Sequence, residues 1–127
     1  MGKTLLVATD FSIGEKMLVA LDAAGLSVSV AAWIYATEYE DWRFYLAGRS
    51  LELTTERRPY RKVHEALEAA GISYDETPPL VIMSMKDPLI RDLRRKYAKS
   101  KYAEGARLGP HPIGDTFVED GLVLRIK

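Results

Sequence analysis

The sequence predicts an α+β fold: a single domain over residues 1–127, with about three helices and about five strands in the order αββαβαββ. Three observations predict it. Apolar residues recur at helical spacing in three separate segments, two alternating segments flank a short acidic loop, and a nearly continuous apolar run lies between the second and third helical segments. The sheet is expected to be mixed or mainly antiparallel, with the helices mainly on one of its faces.

The first helix is expected after a short apolar start at residues 4–8. Ser12 and Glu15 have the spacing of a capping box, Ile13, Met17, Leu18, Leu21 and Ala24 form one stripe, and Gly25 is a natural stop. The segment SVSVAAWIYA, residues 27–36, reads as a strand with Val28, Val30, Ala32 and Ile34 on one face and Trp33 and Tyr35 on the other. Covered on both sides, it would pair with WRFYLAG across the five-residue acidic loop TEYED.

Pro59 in a first turn and Gly71 at a C-terminus bracket a second helix over about 59–70, with Tyr60, Val63, Leu67 and Ala70 as its inward stripe. PLVIMSM then predicts a central strand buried on both faces. Asp87-Pro88 supplies a cap and a first-turn proline for a third helix running to about Tyr97, with Leu89, Ile90, Leu93 and Tyr97 inward. At the C-terminus, Asp120-Gly121 between two alternating segments predicts a type I′ hairpin, placing Phe117, Glu119, Leu122, Leu124 and Ile126 on one face.

Composition removes whole classes of chemistry. The chain has no cysteine, so thiol nucleophiles, disulfides and thiolate metal sites are excluded. It also has no asparagine and no glutamine, which removes bidentate adenine readout and amide oxyanion donors. Loss of these thermolabile residues beside abundant Glu, Lys and Arg points to a thermophilic source. Only His64 and His111 offer imidazole, and no G-x-S-x-G, G-x-x-x-x-G-K-[ST] or G-x-G-x-x-G motif occurs. No secretory leader or membrane-length apolar run is present, so the expected location is the cytoplasm. No cofactor and no metal is expected.

Charge is where the sequence is least even. The formal total is zero, yet residues 86–107 hold eight cations against three acids, and the remainder holds ten against fifteen. Opposite the apolar stripe of the third helix, Arg91, Arg95, Lys96 and Lys99 form a ridge suited to phosphates and equally to an ordinary solvated face. A second group, Arg57, Arg58 and Arg61, stands at the start of the second helix, where cations oppose the helix dipole. A bound anion would relieve that opposition, as would pairing with Glu52, Glu56 or Glu65.

Three residues are candidates for proton transfer. Glu119 falls on the expected apolar face of the last hairpin, His64 borders the stripe of the second helix, and His111 lies in the GPHPIG loop. Glu38, Glu40 and Asp41 read as a solvated loop, and Trp33 and Trp42 as core.

The stretches GEKMLVALDAAGLSV with AAW, WRFYLA, RPYRKVHEAL, DPLIRDLRR and TFVEDG together resemble a family of small uncharacterised bacterial proteins of unknown function. The resemblance covers most of the chain discontinuously and implies one bacterial α+β domain, with no activity and no functional residues to carry over. The endings differ: LVLRIK is less aromatic here, and the 105–114 loop departs from the pattern.

The leading expectation is a non-enzymatic binding or accessory module that contacts nucleic acid or another polyanion through the two basic groups. The alternatives are an enzyme acting on a phosphodiester or phosphate ester through Glu119, His64 or His111, and a homo-oligomer pairing through an exposed Trp33/Tyr35 face. No membrane partner is expected.

Overall fold

A computed structural model describes residues 8–52, 58–97, 100 and 104–127, with side chains from 12–52, 59–97, 100 and 104–127. A five-stranded mixed sheet runs in the order β3-β2-β1-β7-β4, and β5 and β6 form a separate two-stranded ribbon. The strands are β1 (Val30–Ala36), β2 (Asp41–Ala47), β3 (Leu80–Met83), β4 (Arg107–Leu108), β5 (His111–Ile113), β6 (Thr116–Val118) and β7 (Gly121–Ile126). The helices are α1 (Ala8–Ala23), α2 (Arg58–Ala69) and α3 (Pro88–Tyr97). The architecture is α+β, as the sequence predicts. No helix among the described residues is long and apolar enough to cross a membrane.

β1 organises the molecule. Its alternate side chains feed two separate cores: Ala31, Trp33 and Tyr35 join one, and Val30, Ala32 and Ile34 join the other. The first core is completed by Met17, Leu18 and Leu21 of α1, Trp42, Phe44 and Leu46 of β2, and Val63, Ala66 and Leu67 of α2. The second is completed by Leu89, Ile90 and Leu93 of α3, Ile113 and Val118 of the ribbon, and Val123 and Ile126 of β7. Two helices therefore cover one face of the sheet, and α3 with the β5–β6 ribbon covers the other. Trp33 and Tyr35 are 2% and 5% exposed, which removes the surface through which the self-pairing alternative was to act.

Both glycine stops are used. Gly25 and Gly71 have φ of 77° and 83°, and the following residues, Leu26 and Ile72, donate back to Leu21 and Leu67, closing each helix with paired carbonyls. Ser12 lies inside α1, which begins four residues earlier because ATDF contains neither proline nor glycine to stop it. In α2 the buried position is Ala66, and Ala70 is exposed. The β1–β2 hairpin forms with Ala36 opposite Asp41, so its loop is one residue shorter than expected.

Two expectations about strands are overturned. PLVIMSM gives an edge strand: β3 pairs with β2 alone, in parallel, and only Ile82 is fully buried. A continuous apolar run does not distinguish a central strand from an edge that a helix overhangs, and here Tyr60 of α2 receives the Ile82 N–H at 3.1 Å. The C-terminal hairpin is also absent. β6 pairs with β5, β7 pairs with β1 and β4, and neither Asp120 nor Gly121 has the positive φ a type I′ turn needs.

The backbone around Asp120-Gly121 is instead engaged by β1, with the Tyr35 N–H donating to the Asp120 carbonyl at 3.0 Å. A bulge then shifts the register, Ala31 facing Arg125 and Ala32 facing Val123. The extra residue, Leu124, turns Ile126 to the same core as Val123, and Phe117 is left exposed.

Candidate functional site

α3 is built as the sequence suggests. Asp87 caps it, its Oδ1 accepting the Leu89 N–H at 2.9 Å, and Pro88 opens the first turn. Leu89, Ile90 and Leu93 are buried against the sheet and Tyr97 packs at their edge. Helical geometry then sends Arg91, Arg94, Arg95 and Lys96 outward, and all four are exposed.

Three of these cations are tethered, two of them to one acid. Arg94 Nε donates to the Lys127 carbonyl at 2.8 Å, Arg95 bonds Asp92, and Lys96 lies 3.5 Å from the other Asp92 oxygen. The Arg91 side chain makes no hydrogen bond or ion pair among the described residues. The lone acid of the helix, Asp92, is only 9% exposed, so the outer surface of α3 is cationic. Arg91, Asp92 and Arg95, with Pro88 and Gly114, line a cleft of about 440 Å³ between α3 and the β5–β6 turn.

Asp92 fixes this cleft. Its Oδ2 accepts the Gly114 N–H at 2.9 Å, joining the helix to the ribbon turn. That backbone bond, together with the charges of Arg95 and Lys96, holds its carboxyl below the usual range against the opposing effect of burial. Gly114 is required for the approach: its φ is 62°, and a Cβ there would stand 2.5 Å from the Pro88 carbonyl.

The two basic groups do not converge. α2 covers the face of α1 and α3 covers the opposite face, so exposed Arg61 is separated from Arg91 and Arg95 by the sheet. Arg57 and Lys99 lie outside the described residues. Arg58 begins α2, and its side chain is outside the described set.

The proton-transfer candidates do not assemble either. His64 is half-buried on α2, its ring centroid 5.4 Å from that of Tyr74. His111 lies on the far side of the sheet in β5, opposite Val118 and thus beside the residue preceding Glu119. Glu119 is half-buried in the link between β6 and β7, not on the inner face of a terminal hairpin. Glu38, Glu40 and Asp41 are exposed, and no group of three or more metal-ligating residues occurs among the described residues.

Sequence reasoning passed over Asp92 and Gly114. The available signal was position: three residues after Leu89, Asp92 borders the apolar stripe, where a carboxylate is half-turned toward the core. Gly114 carried no signal, because its role depends on the ribbon meeting α3. Comparison with family models, curated proteins and solved structures gave no match, and so adds nothing for or against the family resemblance.

Proposed function

We propose that the protein is a non-enzymatic binding module that contacts a phosphate-bearing polyanion, nucleic acid in the first instance, through the outer face of α3. The observation that carries this reading is the sorting of charge on α3: four exposed cations surround a single carboxylate that is buried and already paired. The Arg91 side chain is free of partners among the described residues and lines the cleft beside Arg95, so a phosphate there could take both guanidinium groups. A surface of this kind binds by displacing counterions, with no requirement for base-edge contacts. Arg61 is not part of the contact in this reading. The proposal includes a bacterial cytoplasmic setting, in keeping with the family resemblance.

The test is binding of heterogeneous single-stranded RNA and DNA by fluorescence anisotropy across a salt series. Affinity is expected to fall as salt rises, by about tenfold or more between 50 and 200 mM if several phosphates are neutralised. Salt-indifferent binding, or no binding at low salt, refutes it.

A further inference from the structure

A second cleft, at the β3 edge of the sheet, has a chemistry of its own. It holds about 410 Å³ at the edge where β3 begins, and Arg43, Tyr60, His64, Tyr74 and Thr77 are among its walls. An adjoining cleft of about 320 Å³ shares His64, Tyr74 and Thr77 and continues over Leu67 and Ile72 beside Glu68. The tilted His64–Tyr74 ring pair therefore stands between a cationic end and a more apolar one.

Three features distinguish this cleft from a casual surface depression. The first is Tyr74, 78% exposed yet held in place. It opens a one-turn 3₁₀ helix in which Ser73 and Glu76 cap each other, Ser73 Oγ donating to Glu76 Oε1 at 2.9 Å. Thr77 Oγ1 returns to the Ser73 carbonyl at 3.0 Å, and Pro78-Pro79 stiffens the exit. An aromatic ring presented to water on so restrained a turn is a ready-made stacking surface.

The second feature is Arg43. Its guanidinium carbon lies 3.9 Å from the centroid of Tyr39, a cation–π contact that restrains the side chain. Nε is buried without a hydrogen-bond partner, and Arg43 forms no ion pair among the described residues. A guanidinium restrained in this way and unpaired is suited to a carboxylate or phosphate. The third is the absence of competition: no carboxylate is among the described residues lining the Arg43 end. Tyr60 accepts the Ile82 N–H there, and its own hydroxyl proton is available to donate.

We infer that this cleft binds a planar aromatic ring carrying an anionic group, the ring lying on the His64–Tyr74 pair and the anion on Arg43. The inference is independent of the α3 reading, since it uses none of the residues that line the α3 cleft. An aromatic carboxylate and a nucleoside monophosphate share this chemistry, and the two can be told apart by titration.

The experiment is an NMR titration of the full chain with indole-3-carboxylate and, separately, adenosine monophosphate, following the His64 and Tyr74 ring signals. Saturable shifts with a Kd of roughly 1 mM or tighter are expected for at least one probe. A response to the nucleotide alone identifies a nucleotide site, and a response to the carboxylate alone an aromatic-acid site. Arg43→Gln and Tyr74→Ala should each weaken binding about tenfold, whereas Arg91→Ala should not change it. Cyclohexanecarboxylate, equal in charge but not flat, should bind about tenfold more weakly than the indole acid. Tyr74 is exposed, so its alanine variant should melt with the wild type and report on binding alone. Silence with both probes, equal binding of the cyclohexane acid, or wild-type affinity in Tyr74→Ala overturns the inference.

Discussion

Asp92 shows how one residue can serve fold and surface together. Because its carboxyl is held low in the folded state, its ionised form contributes stability that is fully present above the ordinary carboxylate value of about 3.9. That contribution is lost as pH falls through the still lower folded value. Asp92→Asn keeps an acceptor for the Gly114 N–H and removes the charge. Its stability deficit, measured by urea unfolding, should be constant above about pH 5 and shrink toward zero in acid. Asp92→Ala also strands the Gly114 N–H and should cost about 1–3 kcal/mol at neutral pH. Gly114→Ala should cost more than about 1 kcal/mol, since a positive φ and a backbone clash oppose it together. A melting temperature equal to wild type would contradict the close packing of the ribbon turn on α3. These roles were only partly legible. The stripe around Leu89 and Leu93 exposes the border position of Asp92, but only the fold brings Gly114 to it.

Among the elements, the helices and the β1–β2 hairpin were readable because their signals are local. Gly25 and Gly71 stop helices through their own backbone freedom, and Val30, Ala32 and Ile34 alternate with Trp33 and Tyr35 wherever the strand is placed. The failures are non-local. Asp120-Gly121 is a strong hairpin signal, yet β1 offers β7 a longer ladder and a buried face, and the turn gives way to tertiary pairing. A one-residue bulge at Leu124 then reverses the face of Ile126, which no alternation pattern can foresee. β3 was misplaced because apolar content reports coverage, not sheet position. For α3, Leu93 is wholly buried under the basic ridge, so Leu93→Ala should destabilise by about 2–5 kcal/mol in chemical denaturation. A loss below about 1 kcal/mol would mean that the ridge is not anchored through this residue.

For the whole molecule, the neutral total conceals a separation by face. The sheet divides the cations of α3 from Arg61 of α2, and this places the proposed contact on one side only. The sequence could give the uneven charge along the chain but not its distribution in space, because the faces are assigned by strand order. The missing Asn, Gln and Cys lead to a separate expectation: thermal unfolding above the roughly 45–65 °C of mesophilic domains. A transition inside that range would leave the composition without a thermal explanation. The central claim, polyanion contact through α3, is tested most directly by the slope of log binding constant against log salt for three chains: wild type, Arg91→Ala/Arg95→Ala and Arg61→Ala. The account predicts a slope shallower by about 1 for each arginine lost from α3 and no change for Arg61→Ala. Equal slopes for the wild type and the α3 variant, or a shallower slope only in Arg61→Ala, would contradict it.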